Sequence, residues 1–304
     1  MRLPTLTPAA YRRVTLIALV ALAFIIVSGA AVRLTGSGLG CPDWPTCADN
    51  RVVAPLEYHA MVEFVNRTVT GLVSVAVILA VLGSLRRTPR RRDLTWLSVG
   101  LVAGVVGQIV LGGLTVLFEL RPGFVMAHFL LSMVILANAV VLHDRAGQPD
   151  HEPPTTTAPP ATDPDVRRLG SLAVVAAGLV LFLGTIVTSS GPHGGDENAE
   201  RLQFAVPDVA RFHGASVILF LIVVLATLWR LRAANAPAAT LRRGEVVLAV
   251  SVAQAALGYI QYFNGVPALL VGFHVAGAAA VWVVTLRFRL AFDVVERAQQ
   301  PEPA

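Results

Sequence analysis

Residues 108–128 read QIVLGGLTVLFELRPGFVMAH, and residues 254–274 read QAALGYIQYFNGVPALLVGFH. Each stretch opens on a Gln, has a Gly four residues later, passes through a Pro and closes on a His. Gln108 and Gln254 stand twenty residues before His128 and His274, and Gly112 and Gly258 stand sixteen before them. Pro122 and Pro267 fall shortly before the His in each case. The correspondence continues upstream. His213 lies sixty-one residues before His274, and Asn66, within Glu63-Phe64-Val65-Asn66-Arg67, lies sixty-two before His128. This is the pattern of an internal duplication in which one His slot has become Asn. His59 lies two turns earlier on the same segment as Asn66.

The composition says what surrounds the repeat. Of 304 residues, 55% are hydrophobic and 14% charged, and the mean hydropathy is +0.67. Several apolar runs exceed the roughly 18 residues that mark a spanning helix. Eight helices are predicted, at Val14–Val32, Ala60–Leu85, Leu94–Phe118, Gly123–Leu142, Leu169–Ser189, Val209–Leu231, Glu245–Tyr262 and Pro267–Leu286. The first run is too long for the roughly 7–15-residue apolar region of a signal peptide and reads as a retained helix. The fold class predicted is an all-α integral membrane protein, with eight transmembrane helices as two tandem four-helix bundles. The halves are 1–143 and 169–304, and residues 144–168, rich in Pro, Thr and Asp, form a cytoplasmic linker that cannot bury a core.

The net charge of +5 and a pI near 10.0 do not indicate nucleic acid, because the Arg residues cluster at the ends of the apolar runs. That is a topology signal. The Arg86–Arg92 turn, Arg167-Arg168, the Arg230–Arg243 turn and the Arg287–Arg297 tail are basic, whereas the alternate loops are acidic or balanced. The positive-inside rule then puts both termini in the cytoplasm, relates the halves by a pseudo-two-fold axis along the membrane normal, and brings His59, His128, His213 and His274 into the outer leaflet.

Intramembrane ionisable residues are expensive and rarely idle. A His pair on neighbouring helices suits haem, whose iron takes two axial nitrogens. Zinc fits less well, since it wants three or four close ligands. His213 and His274 make a six-coordinate site for electron transfer, and His128 is the secure ligand of the first half. Asn66 is a poor ligand, and His59 substitutes for it only if helix two shifts or the haem tilts. His143 and His151 read as solvated and His193 as a loop residue. Glu63 shares a helical face with His59 and Asn66. It is either a functional carboxylate or an i,i+4 partner of Arg67. Cys41 and Cys47 fall in the first outer loop, where a disulfide is expected. Such a bridge would shape a lid over the first-half site, with a redox role as the alternative.

Residues 35–47, TGSGLGCPDWPTC, resemble the first outer loop of the haem A synthases in the two-cysteine form found in a subset of bacterial members. Glu63 to Arg67 is similar to that family's Glu-aromatic-x-His-Arg motif. Leu111–Val116 with His128, Thr188–His193 with His213, and Leu257-Gly258 with Pro267 and His274 also match. The resemblance implies haem b between two His of the second bundle. It also implies oxidation of the C8 methyl of haem O to a formyl group through a hydroxymethyl intermediate, for terminal oxidase supply, with Glu63 catalytic. The expected partners are haem O, membrane lipid, a haem O synthase, a membrane electron donor and further copies of the chain. Most members have His where this chain has Asn66. A di-haem b-type electron carrier that modifies no haem is the alternative, and a transporter is a third.

Overall fold

The computed structural model describes residues 5–49, 51–150 and 164–297. Its elements are α1 (Pro8–Leu34), α2 (Tyr58–Arg86), α3 (Arg92–Leu117), α4 (Pro122–Ala146), α5 (Pro164–Ser190), α6 (Val206–Ala233), α7 (Ala238–Phe263) and α8 (Ala268–Arg297). All eight are long and apolar enough to cross a membrane. Their outward faces carry exposed Leu16, Ile17, Phe24, Leu72, Val134 and Ile222. Apolar area on that scale suits lipid, where every backbone group must be satisfied within the helix itself.

The helices run beyond the predicted bounds, most at α7 and α8, because polar residues can extend a helix once its apolar stretch has nucleated it. The expected linker 144–168 is accordingly helical at both ends, to Ala146 and from Pro164. Residues 151–163, and with them His151, lie outside the described residues. Thr7 caps α1 by accepting from the Ala10 amide at 3.2 Å, and Pro8 and Pro122 occupy first helical turns, where no amide hydrogen is needed.

The duplication extends to backbone detail. At the end of α3, Leu120 N–H donates to the Thr115 carbonyl and Glu119 N–H to Val116; at the end of α7, Val266 donates to Gln261 and Gly265 to Tyr262. Both turns are Schellman-type stops. Each places two successive residues at positive φ, Glu119 (51°) and Leu120 (58°), then Gly265 (76°) and Val266 (58°).

Within each half the helices close a ring of neighbours: α1 packs on α2, α2 on α3, α3 on α4 and α4 on α1, and α5 to α8 repeat this. The diagonal pairs α2/α4 and α6/α8 make no backbone approach among the described residues. Halves meet through α1, α4, α5 and α8, with Trp282 Nε1 donating to the Met133 carbonyl at 2.9 Å. The solid cores sit toward the linker end of each ring. One gathers Tyr11, Val77, Leu94, Leu101, Leu136 and Leu142; the other gathers Val166, Val224, Leu228, Val247, Phe288 and Phe292. Small residues let the helices close there, since a Cβ at Gly244 would lie 2.6 Å from Leu228 and 2.9 Å from Phe288. Asn66, His128, His213 and His274 all stand at the other end, in the opening turns of the even-numbered helices.

The linker end is latched by Arg87, which is fully buried and donates to Asp150 Oδ1 at 2.6 Å. Removing one partner of a buried pair leaves the other charge uncompensated, typically at about 3–5 kcal/mol. Arg87→Ala should lower stability by that order, read as the unfolding midpoint of the full-length protein in mild detergent.

Candidate functional site

Each histidine rests on a glycine of the preceding helix. A Cβ at Gly112 would meet His128 Cε1 at 3.2 Å, one at Gly184 would meet His213 Cε1 at 3.2 Å, and one at Gly258 would meet His274 Cε1 at 3.1 Å. Absence of a side chain on the odd-numbered helix is what lets the imidazole lie inside the ring. The glutamines of the repeat hold the same backbone turn: Gln108 Nε2 donates to the His128 carbonyl at 2.9 Å, and Gln254 Nε2 to the His274 carbonyl at 2.7 Å.

In the second half, His213 and His274 face one another across the open α6/α8 diagonal, with ring centres 6.4 Å apart and planes 71° apart. His213 Nδ1 bonds the Val180 carbonyl at 3.1 Å, and since a carbonyl only accepts, Nδ1 carries the proton. Nε2 is then the bare nitrogen, free to ligate. Buried His274 Nδ1 has no hydrogen-bond partner, at a cost of about 1–3 kcal/mol for a polar atom. Two imidazoles on one metal, each nitrogen about 2 Å from it, have ring centres roughly 6 Å apart. Among the described residues no three His, Cys, Asp or Glu gather as a bare-ion site. The pair therefore fits an axial set whose equatorial ligands come from a macrocycle.

The first half departs from this plan at one residue. His128 sits on Gly112 with its Nδ1 buried and unpartnered, but opposite it Asn66 turns aside and accepts from Ser28 Oγ at 2.8 Å. Gly29, which matches Gly184 in the shared spacing Gly29, Val32, Gly36 and Gly184, Val187, Gly191, would have nothing within 4 Å of a Cβ. The slot that His213 fills in one half is open in the other. His59 bonds Ser37 Oγ through Nδ1 at 2.9 Å and meets Tyr58 edge-on; no ring contact joins it to His128 among the described residues.

Above this opening the loop between α1 and α2 folds onto α2. Cys41 and Cys47 are disulfide-bonded. Glu63, buried, accepts from Arg67 Nη2 at 2.6 Å and Nε at 3.1 Å through Oε1, and from the Cys41 amide at 2.8 Å through Oε2. Arg67 goes on to donate to the carbonyls of Cys41 (3.1 Å), Asp43 (3.2 Å) and Thr46 (2.8 Å). The i,i+4 pairing of Glu63 and Arg67 is present, and it ties both residues to the cysteine loop. The loop's Trp44 lies flat on Gly113, where a Cβ would come within 2.7 Å of the indole. Gly40 passes so close to His59 that a Cβ would fall 2.2 Å from its carbonyl oxygen.

One histidine differs from its expected role, and another gains a partner. His143 is not simply solvated, because Nδ1 bonds Thr15 Oγ at 3.0 Å between α4 and α1. His193 is a loop residue, and its Nε2 bonds the Val266 carbonyl at 2.8 Å, joining two loops of the second half. Sequence reasoning missed Ser28, Gly29 and Gly184, although the repeated Gly-x-x-Val-x-x-x-Gly spacing was there to be found. It also missed the reach of Arg67 into the loop, which no spacing encodes. Arg67→Ala should release that loop: amide hydrogen exchange at residues 41–49 should rise about ten-fold or more, charge-assisted bonds being the strong ones, while the α3 and α4 cores keep their protection.

Comparison with known proteins places the chain in a family. The profile of the COX15-CtaA family, described as cytochrome oxidase assembly proteins, matches residues 12–192, more than half of the chain. The heme A synthase of Bacillus licheniformis is 28% identical over 128 residues, 42% of either chain. That of Shouchella clausii is 30% identical over 149 residues, 49% of either chain, and that of Bacillus pumilus 30% over 135, 44% of either. The aligned stretches thus span less than half the length of these relatives. With eight helices capable of crossing a membrane among the described residues, the chain is a multi-pass membrane protein, and it belongs to the COX15-CtaA family.

Proposed function

We propose that this protein is a haem A synthase, an oxidoreductase that converts the C8 methyl of haem O to a formyl group through a hydroxymethyl intermediate. The observation that carries the reading is the asymmetry of the repeat. One half pairs His213 with His274 at 6.4 Å; the other sets His128 against an open slot at Gly29, beneath a loop anchored to a buried carboxylate. An electron carrier has no use for the second arrangement, whereas a site that must admit and release a haem does. The heme A synthases to which the chain is similar point the same way.

His213 and His274 would hold haem b, which supplies one-electron chemistry when bound. The bond from His213 to Val180 orients that ligand. In the first half His128 binds the iron of the substrate, and Asn66, turned to Ser28, leaves room for the ring. His59, held through Nδ1 by Ser37, keeps Nε2 free and is the alternative ligand in place of Asn66. Glu63 acts on the substrate edge, by opposing positive charge that develops at the methyl carbon or by taking a proton from water. Arg67 fixes the direction of its carboxylate. The cysteine loop limits water above the site.

Membranes carrying the protein and a source of haem O should accumulate haem A, read by solvent extraction and chromatography of the pigments. Glu63→Gln should reduce conversion about ten-fold or more, the usual effect of removing one charge-stabilising group, without loss of haem b. His274→Ala should abolish the low-spin b-type spectrum. Unchanged haem O beside an intact low-spin spectrum would replace the enzyme with the electron carrier.

The orientation belongs to the same reading. Arg86–Arg92 and Arg230–Arg243 face the cytoplasm with both termini, and the histidine end faces out. A reporter fused after Ala304 should be cytoplasmic and one within Asp49–Pro55 external; the reverse result would overturn the outward placement of both sites.

A further inference from the structure

Asn66 replaces an imidazole of the repeat, and the residues around it are rebuilt to match. The spacing that pairs Gly29 with Gly184 also pairs Ile25 with Val180 and Ser28 with Leu183. In the second half the Val180 carbonyl takes the Nδ1 proton of His213 at 3.1 Å. In the first half the Ile25 carbonyl has Ser28 Oγ at 3.2 Å, and the same Oγ donates to Asn66 Oδ1 at 2.8 Å. A hydroxyl and a shorter side chain together span what an imidazole spans by itself, so the Asn66 amide stands where His213 has its ring. The hydroxyl is particular to this half, since its counterpart Leu183 offers no polar side-chain atom.

That hydrogen bond decides which way the amide faces. A hydroxyl carries one proton, and the shorter contact, to Asn66, takes it. Ser28 therefore holds the amide oxygen, on the side where His213 carries Nδ1. Nδ2 is left on the other side, directed into the ring where His213 presents its bare Nε2. Nδ2 donates to no protein group among the described residues, yet it is not one of the buried, unpartnered atoms, as His128 Nδ1 is. It faces accessible space. The neighbouring backbone keeps that space clear: a Cβ at Gly29 would meet nothing within 4 Å, whereas one at Gly184 would meet His213 at 3.2 Å. A fixed donor thus stands across the ring from His128, with room in front of it.

We propose that Asn66 is the hydrogen-bond donor to a small ligand on the free face of the substrate haem, opposite His128, and that Ser28 sets its direction. The ligand is of water or diatomic size, with an atom that accepts a hydrogen bond. The inference rests on the haem reading above and requires His59 to remain on Ser37. A neutral amide suits the place: it meets partial negative charge on such a ligand without taking the iron's sixth position, as an imidazole at residue 66 would.

The full-length protein, purified with haem b, would be loaded with haem O without oxygen, reduced and exposed to carbon monoxide. The His213/His274 pair leaves no open position on its iron, so the carbonyl band reports on the first half alone. The wild type should bind carbon monoxide. Asn66→Leu, which keeps the size and removes the amide, should move the C–O stretch to higher frequency, since a donor near the oxygen weakens that bond. Ser28→Ala should broaden the band or move it the same way, because the amide is then free to turn. In the oxidised protein, fluoride should bind about ten-fold or more weakly to Asn66→Leu, the scale of a hydrogen bond to a charged group. Asn66→His should close the face, giving a second low-spin spectrum and no carbon monoxide adduct. An unchanged haem b spectrum shows that each variant is folded. The same stretch and the same fluoride affinity in the wild type and Asn66→Leu would overturn the proposal. So would wild-type haem O that is six-coordinate and low-spin but loses that spectrum in His59→Ala, for His59 then occupies the face. Both of those results leave the haem reading standing. Haem O that fails to bind, or binds equally well to His128→Ala, sinks the first-half site itself.

Discussion

A ring of four helices brings neighbours into contact and holds its diagonals apart, and both halves of this protein depend on that constraint. The interior along each diagonal must be filled. Toward the linker end it is filled by side chains, with Phe288, Phe292 and Leu228 in one ring and Leu94, Leu101 and Leu142 in the other. Toward the opposite end the filling changes to imidazoles, each admitted by a glycine on the neighbouring helix. Packing is dense toward the linker end, and toward the other end His213 and His274 face one another across the α6/α8 diagonal. The histidines are positioned by the same helices that build the core.

The two rings use this plan differently, and the difference comes down to a few contacts. His213 is oriented by the Val180 carbonyl and lies over Gly184. Its counterpart Asn66 is shorter, finds Ser28 instead, and leaves Gly29 uncovered. The polar machinery that accompanies the change is local to that half. Glu63 and Arg67 neutralise one another within α2, yet their remaining hydrogen-bonding capacity is spent on the Cys41 amide and on three loop carbonyls. A buried ion pair is weak evidence for stability taken alone. Here it fixes a loop, and the loop in turn carries Trp44 onto Gly113, next to the glycine that supports His128. The carboxylate, the disulfide and His128 are therefore one mechanical unit.

The extramembrane segments join what the rings keep separate. Gly38 donates to the Gly195 carbonyl at 2.8 Å, Arg33 reaches across to Thr188 and His193, and His193 reaches on to Val266. The end with the histidines is held together by loop hydrogen bonds, whereas the linker end is held by apolar packing and the Arg87–Asp150 pair. Loops tolerate rearrangement more readily than packed cores, so motion that admits a ligand belongs at the histidine end.

Much of this was determined by the sequence alone. Apolar runs of sufficient length dictate helices in a medium that cannot satisfy a backbone amide, so eight spans were legible. A spacing repeated from Gln108 to His128 and from Gln254 to His274 singled out the histidine helices, because insertion of even one residue would rotate a His off its face. The ends of the helices were less legible, since Pro164 to Arg168 and Ala238 to Gly244 are polar or mixed and extend their helices by propagation from the apolar part. What only the tertiary structure decided is the set of contacts between residues far apart in the chain. That Ser28 takes Asn66, that Gly184 supports His213, that Arg67 holds three loop carbonyls, and that Arg33 reaches the carbonyls of Thr188 and His193 all depend on how helices are rotated about their own axes and how close they come. A periodic pattern names the face of a helix; which residue of a neighbour meets that face is set by packing in three dimensions.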